Sequence, residues 1–481
     1  MKNAFHRLAS SRFGRKNIGD RAFYMAVLGI VIPVVIQNSI SNFVSLLDNL
    51  MVAAVSTNQM NGVSIANQLV FVFNLCIFGG VAGPGIFSAQ FFGAGDHKGV
   101  RNSFRYSIVI AAVVSAVAMV IFAFFRSPLV SSYINNPPSP EAAEEMLKVG
   151  SDYILIMMAG LLPFAVSQAY ASILRSCGET KIPMFAAVVS VLVNLVLNAI
   201  LIFGLLGFPE MKAQGAAVAT VISRYVEMLI IVIMAHAREK KYPANPAYRF
   251  LEGAFKDFSI PMQLVKKITV KGLPLLCNEA AWSMGMAMLA QLYSRLGTDV
   301  VAANTITSTL ANLFNVFFIS MGTAASVMVG QPLGMNDFDG AKRNVRRIMF
   351  FQMCICFTIG AIMFFVSPLL PYCFKEADAA IREIATGMLC VTACAMPVNG
   401  FAHCSYFILR SGGRTIITFL FDSAYTWLIP IPLVFALVTF TNLPVLTVFI
   451  CAHIADLIKV ALGAILLKKG VWIRNIVSAS E

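Results

Sequence analysis

Long apolar runs alternate with short polar or basic stretches along almost the whole chain. Runs that reach the roughly 20 residues needed to cross a bilayer begin near Phe23, Val63, Phe104, Ser151, Pro183, Gly215, Gly272, Val300, Arg347, Ile384, Ile416 and Pro444. The pattern therefore predicts an all-α polytopic membrane protein with twelve transmembrane helices.

The polar positions of the chain repeat at a fixed distance. Pro33 to Arg105 aligns without gaps on Pro274 to Arg346, 241 residues later, and prolines, glycines, amides and charges recur while apolar residues differ. The motif Leu-Arg-Ser-x-Gly-x-Thr occurs at 174–180 and again at 409–415. The repeat predicts two pseudo-symmetric lobes of six helices. Because six is even, both lobes start from the same side of the membrane, as in a parallel repeat.

The polar stretches also set the expected domain boundaries. A basic cytoplasmic lead covers residues 1–22, and the N-terminal lobe with helices 1 to 6 covers 23–235. A cytoplasmic linker with three prolines covers 236–271. The C-terminal lobe with helices 7 to 12 covers 272–467, and a cytoplasmic tail covers 468–481.

Composition and charge fit a membrane protein and orient it. The chain of 481 residues is 58% hydrophobic and 12% charged, which excludes an ordinary soluble protein. Of its 36 Lys and Arg residues, 28 lie on one predicted side and six on the other. We therefore expect a multi-pass protein of the cell (inner) membrane. The positive-inside rule places both of its termini in the cytoplasm. The net charge of +13 is spread over short loops, so we expect contact with the lipid bilayer and none with nucleic acid.

Ionisable residues inside the predicted helices are few, and each costs about 2.5 to 3.5 kcal/mol at the helix centre. Asp456 and Lys459 are three residues apart and are expected to neutralise each other. Asp422 is expected to reach the basic residues of the nearby 409–415 motif, Arg410 or Arg414.

Asp48 and Glu279 have no basic residue within four positions, so they are the functional candidates. Glu279 aligns with Asn38 in the repeat, and Asp48 aligns with Leu289, so the two acids are not equivalent by symmetry. We take Glu279, Asn38 and Asn399 as candidates for binding substrate or a proton.

The fifth helix carries two amides, Asn194 and Asn198, one turn apart on a single face, and Thr220 lies early in the sixth. With Asp48 they would form an oxygen-rich site that binds a small cation, or a carboxylate tuned to take a proton. Asp48, Asn194 and Asn198 are the predicted Na+ ligands. The matching positions in the second half are Ile429 and Leu433, so we expect this polar cluster in one lobe only.

The order of these motifs resembles the multidrug and toxic-compound extrusion (MATE) family of the MOP flippase superfamily over essentially the whole chain. The matching features are Pro33 with Asp48, Gln90-x-x-Gly93, Gln331-x-x-Gly334, both Leu-Arg-Ser-x-Gly-x-Thr motifs, Asn194 with Asn198, the Gly-Ala-Ala-x-Ala-Thr start of helix 6, and Asn278-Glu279. The resemblance implies a V-shaped pair of six-helix bundles that exports amphipathic, often cationic compounds in exchange for Na+ or H+. It places Asp48, Asn194, Asn198 and Thr220 on the cation-coupling site. Asn399 stands where members that couple Na+ through the C-terminal lobe carry an acid.

We therefore expect a secondary active transporter that works by alternating access on small amphipathic molecules, with Asp48 as the ion switch. No cofactor beyond the coupling ion is expected, and a monomer is the expected functional form. The alternative is a flippase for lipid-linked saccharides, which should show unpaired basic residues inside its helices. An enzyme is not expected, because the five histidines are scattered and form no catalytic set.

Overall fold

A computed structural model describes residues 17–53, 57–134, 139–374 and 378–478, except for the side chains of 44–50, 52, 53, 57 and 58. All regular secondary structure in these ranges is helical, which confirms the all-α class. The long helices are α1 (Arg21–Ala53), α2 (Thr57–Gly93), α3 (His97–Ser131), α4 (Pro140–Ser176), α5 (Lys181–Phe203), α6 (Lys212–Lys241), α7 (Met262–Ser294), α8 (Thr298–Gly334), α9 (Phe338–Val366), α10 (Ala379–Ser411), α11 (Thr415–Phe440) and α12 (Val445–Lys468).

Eleven of these helices are long and apolar enough to span a membrane, counted over the described residues. The twelfth, α7, is 33 residues long but more polar, because three lysines lie in its first third and Asn278-Glu279 lies near its middle. The helices next to the predicted linker continue into it, since α6 ends at Lys241 and α7 begins at Met262.

Two helices have irregular turns. In α4 a 3-10 turn at Met158–Gly160 separates two α-helical parts. In α11 a π turn at Leu420–Ala424 is followed by a break at Ile429 and Pro430, where the proline cannot donate to the helix. Single wide turns of this kind occur often at functional sites.

The chain divides into two compact units. The C-terminal unit contains the described residues of Met1–Val35, Ala89–Asp96 and Cys277–Glu481, and the N-terminal unit contains those of Ile36–Ser88 and His97–Leu276. Each unit has its own buried apolar core, rich in alanine as well as in large aliphatic residues. Small residues let membrane helices approach closely. The lobe boundaries given above stay a prediction.

The linker belongs to the N-terminal unit and is held there by Arg105. This buried guanidinium donates from Nε to the Ala254 carbonyl at 2.8 Å, from Nη2 to Gly253 at 3.0 Å and from Nη1 to Ser259 at 3.1 Å. Its repeat counterpart, Arg346, is exposed and donates within its own helix, to the Lys342 carbonyl. The two copies of this arginine therefore have different structural tasks.

Tyr248 makes a second attachment of the linker. Its hydroxyl donates to Glu179 Oε2 at 2.5 Å, next to the motif at 174–180. Burial raises the pKa of the Tyr248 hydroxyl, and so do its hydrogen bond to Glu179 and the charge of that residue. Tyr248 therefore remains a donor at neutral pH.

The described part of the tail folds back onto the C-terminal unit. Gln90 is fully buried; its Nε2 donates to the carbonyls of Ser411 at 2.9 Å and Arg474 at 3.1 Å, and its Oε1 accepts from the Ile476 N–H at 2.8 Å. Asn475 Nδ2 donates to the Gly334 carbonyl at 3.0 Å. The tail is thus attached to the ends of α2 and α8, and Gln90 joins it to the end of α10.

The two Gln-x-x-Gly motifs pack against each other inside the same unit. A methyl group on Gly93 would lie 2.8 Å from Gln331 Cα, and one on Gly334 would lie 2.8 Å from Gln90 Cα. Real Cβ atoms are not found this close to backbone atoms, so glycine is required at both positions. Each glycine makes room for the backbone of the other copy's glutamine.

Candidate functional site

Three of the predicted coupling residues lie together in the N-terminal unit, and we call them the amide cluster: Asn194, Asn198 and Thr220. Asn194 Nδ2 donates to Thr220 Oγ1 at 3.3 Å, and Asn198 Nδ2 donates to Asn194 Oδ1 at 3.2 Å. Thr220 Oγ1 donates in turn to the Ala216 carbonyl at 2.9 Å. Both amides are buried in α5, whose other residues are mostly aliphatic.

Close packing of α5 on α6 positions this cluster. A methyl group on Gly215 would lie 2.7 Å from the Leu201 carbonyl oxygen, so the two backbones nearly touch there. Ala216, Ala217 and Ala219 are also buried, which keeps the helices close as they pass Asn198. The Gly-Ala-Ala-x-Ala-Thr motif is therefore a packing motif that ends in the Thr220 hydroxyl of the amide cluster.

The remaining candidates differ in what the structure shows. Asp48 belongs to α1, but its side chain lies outside the described residues. Asn38 is half-buried in α1, and Asn399 is half-buried in α10, two residues after Pro397. Asn399 precedes Tyr406 by seven residues, or about 10 Å along the helix.

Glu279 lies in a second polar network, in the C-terminal unit, which we call the carboxyl cluster: Asn278, Glu279, Tyr406, Asp422, Ser423 and Lys459. Tyr406 donates to Glu279 Oε1 at 3.0 Å, and Asn278 Nδ2 donates to Asp422 Oδ2 at 3.0 Å and to the Tyr406 hydroxyl at 3.3 Å. Lys459 Nζ lies 2.6 Å from Asp422 Oδ1. Four helices, α7, α10, α11 and α12, contribute these side chains.

The backbone of α11 fixes the direction of these hydrogen bonds. The Ser423 N–H lies 3.3 Å from Asn278 Oδ1, and because a backbone N–H can only donate, the atom facing it must be the amide oxygen. The amide nitrogen then faces Asp422 and Tyr406. Because the Tyr406 oxygen accepts from Asn278, its own proton is available for Glu279. The cluster is a directed chain that ends on the Glu279 carboxyl group.

The ion pairs in this region differ from the sequence expectations. Lys459 forms its ion pair with Asp422, on another helix, although its charge also acts on Asp456 three residues away. Asp422 takes this lysine as its ion-pair partner, in place of the expected Arg410 or Arg414. Asp422 lies in the π turn, and the same turn brings Ser423 to Asn278. That irregular turn explains the pairing.

The expectation of one lobe applied to the amide cluster, whose matching positions in the second half are Ile429 and Leu433. The carboxyl cluster of the C-terminal unit uses other positions, so the alignment of the two repeats did not indicate it. Tyr406 had no signal in the sequence, whereas Asp422 and Lys459 were visible as charges within apolar runs. Among the described residues, no group of three or more His, Cys, Asp or Glu side chains could hold a metal ion.

The comparisons with known proteins agree with this architecture. Among curated proteins, the chain is similar to the probable multidrug resistance protein NorM of Thermotoga maritima, at 24% identity over 95% of the chain and 94% of that protein. It is 22% identical to the probable multidrug resistance protein YoeA of Bacillus subtilis, over 87% of the chain and 88% of that protein.

A crystal structure of MATE in complex with MaL6 has the same fold, with a TM-score of 0.81 at 19% identity over 93% of the chain and 96% of the solved one. The sequence model of the MatE family matches residues 33–200 and 274–436, more than two thirds of the chain. A match of this extent shows that the chain belongs to the MatE family, which confirms its resemblance to multidrug and toxic-compound extrusion transporters.

Proposed function

We propose that this membrane transporter exports amphipathic, cationic compounds by alternating access, in antiport with Na+ or H+. The observation that carries the proposal is the amide cluster. Buried amides within an aliphatic helix are costly unless they have a task, and amide and hydroxyl oxygens are the ligands that a small hard cation prefers. Asp48 would add the charge, as a Na+ ligand or as a proton acceptor.

Antiport requires only that the ion and the exported compound favour different conformations of the protein. The coupling ion would bind to Asp48, Asn194, Asn198 and Thr220, and the carboxyl group of Glu279 would favour cationic substrates. Export also requires a defined orientation of the protein in the membrane. We propose that it lies in the inner membrane with both termini in the cytoplasm. The functional form would be a monomer with the lobe boundaries predicted above.

Efflux from vesicles tests the proposal. Ethidium export would be measured under an imposed Na+ or pH gradient for the wild type, Asp48→Asn and Thr220→Ala. We expect Asp48→Asn to abolish gradient-driven export. Thr220→Ala removes the hydroxyl that accepts a hydrogen bond from Asn194. Such a loss of about 1.4 kcal/mol should weaken the apparent affinity for the coupling ion about tenfold.

Thr358→Ala is the matched control. The Thr358 hydroxyl, like that of Thr220, donates to the carbonyl four residues earlier at 2.9 Å, but it is exposed on α9. Its export should equal that of the wild type. Normal export by Asp48→Asn under both gradients would disprove the coupling assignment. A wild type that moves no organic cation under either gradient would favour the lipid-linked saccharide flippase.

A further inference from the structure

We propose that Lys459 is a tethered cation that permanently fills the cation position at Asp422, so that Na+ does not bind there. This inference rests on the proposed function, because it decides which acid in the carboxyl cluster remains free to exchange an ion. Asp422 is then excluded as a coupling residue, and Glu279 is the one carboxyl group of that cluster that can take part.

The first argument is the occupancy of the Asp422 carboxylate. Lys459 Nζ lies 2.6 Å from Oδ1, and Asn278 Nδ2 donates to Oδ2 at 3.0 Å. The Asn278 donor cannot turn away, because its oxygen is held by the N–H and the hydroxyl of Ser423. Both carboxylate oxygens therefore have a donor, one of them a full positive charge.

The second argument is the surroundings of the ammonium group. Lys459 Nζ lies 5.5 Å from the centre of the Phe421 ring and 5.6 Å from that of Tyr425, distances at which an aromatic face attracts a cation. Phe421 and Tyr425 flank Asp422 along α11, within and directly after the π turn. The π turn and the residue directly after it thus supply a carboxylate and two aromatic faces to a single cation.

The third argument is competition. The side chains of Lys459 and Asp422 are 15% and 17% exposed, so the pair is held with little water around it. Breaking such a pair leaves an uncompensated buried charge, which is strongly unfavourable. A free Na+ must compete with a cation attached to the same protein, whose effective local concentration is not diluted. Removing the lysine should therefore open the position to Na+.

The test measures Na+ binding by the purified full chain, without transport. Thermal unfolding and 22Na+ binding would be compared in NaCl and choline chloride at equal ionic strength. Lys459→Met should gain a Na+-dependent rise in Tm and one additional bound Na+ per chain relative to the wild type. Lys459→Arg, which keeps the cation, and Asp422→Asn/Lys459→Met, which removes both charges, should respond to Na+ as the wild type does.

A Na+ response of Lys459→Met equal to that of the wild type would overturn the inference. If Lys459→Met folds in NaCl but not in choline chloride, the inference is supported. If Lys459→Met folds in neither salt, Na+ binding is compared between the wild type and the double variant Asp422→Asn/Lys459→Met. Equal Na+ binding by these two proteins supports the inference. Na+ binding that is present in the wild type and lost in the double variant overturns it. Normal export by Asp48→Asn, which would disprove the coupling assignment, would leave these outcomes unchanged, so the two proposals fail separately.

Discussion

One tyrosine hydroxyl connects the two acids of the carboxyl cluster. Tyr406 accepts from Asn278 and donates to Glu279, and Asn278 donates to Asp422. These bonds join the two acids through Asn278 and Tyr406, and not directly to each other. The hydroxyl is the step at which a change in the state of Glu279 would be transmitted toward Asp422.

Replacing Tyr406 by Phe should therefore cost more than an ordinary tyrosine truncation. The change removes the donor to buried Glu279 and an acceptor of Asn278, which should lower the free energy of unfolding by about 1 to 3 kcal/mol. Tyr425→Phe is the control, because its hydroxyl donates to a helix carbonyl, that of Ala455, and its loss should cost about 1 kcal/mol or less. Thermal unfolding of the purified variants measures both, and equal effects would contradict the role of Tyr406.

At the scale of elements, the ends of α2 and α8 are fixed by glycine. Gly334 lies where an added methyl would be 2.6 Å from the Gln90 carbonyl carbon, and the same Gln90 binds the tail through its side chain. A displaced α8 would therefore also disturb the attachment of the tail. Packing, and not the helix propensity of glycine, determines the residue at this position.

Gly334→Ala should destabilise the C-terminal unit by about 1 to 3 kcal/mol through overpacking against backbone that cannot move aside. Gly29→Ala on α1 is the matched control, because no heavy atom lies within 4 Å of its added methyl. That variant should be neutral or more stable by up to about 1 kcal/mol. A Gly334→Ala protein with the Tm of the Gly29→Ala protein would show that the close approach is unnecessary.

The two polar clusters differ in how far sequence could predict them. Asn194 and Asn198 are one turn apart on one helix, and an amide pair within an aliphatic run is visible in a single stretch of sequence. The carboxyl cluster joins residues 127 positions apart, Glu279 and Tyr406, and 37 apart, Asp422 and Lys459. Its pairing depends on a π turn, and no residue type in Leu420–Ala424 demands one. Helical periodicity therefore could not predict these contacts.

At the scale of the whole molecule, the pattern of apolar runs predicted every long helix, including α7, whose hydropathy is lower than that of the others. The orientation of these helices rests on the distribution of basic residues, because an excess of Lys and Arg is retained in the cytoplasm. Orientation decides whether transport is export or import, so it needs its own experiment.

Cysteine labelling measures this orientation. In a background without the ten native cysteines, Glu210→Cys between α5 and α6 should react with a membrane-impermeant maleimide in intact cells. Glu252→Cys in the linker should react only after permeabilisation. Both glutamates are exposed, so intrinsic access is matched. The opposite pattern of labelling would place the termini outside and reverse the proposed direction of transport.

The reciprocal packing of the two Gln-x-x-Gly motifs has a consequence for the origin of the chain. Gly93 of the first copy contacts Gln331 of the second, and Gly334 of the second copy contacts Gln90 of the first. The glycine of each motif therefore contacts the glutamine of the other. This is the form of an isologous, two-fold interface between identical subunits. A half-length protein with a single copy of the motif would make both contacts by pairing with a second copy of itself. The contact is therefore what an ancestral homodimer would leave behind after its gene was duplicated and fused.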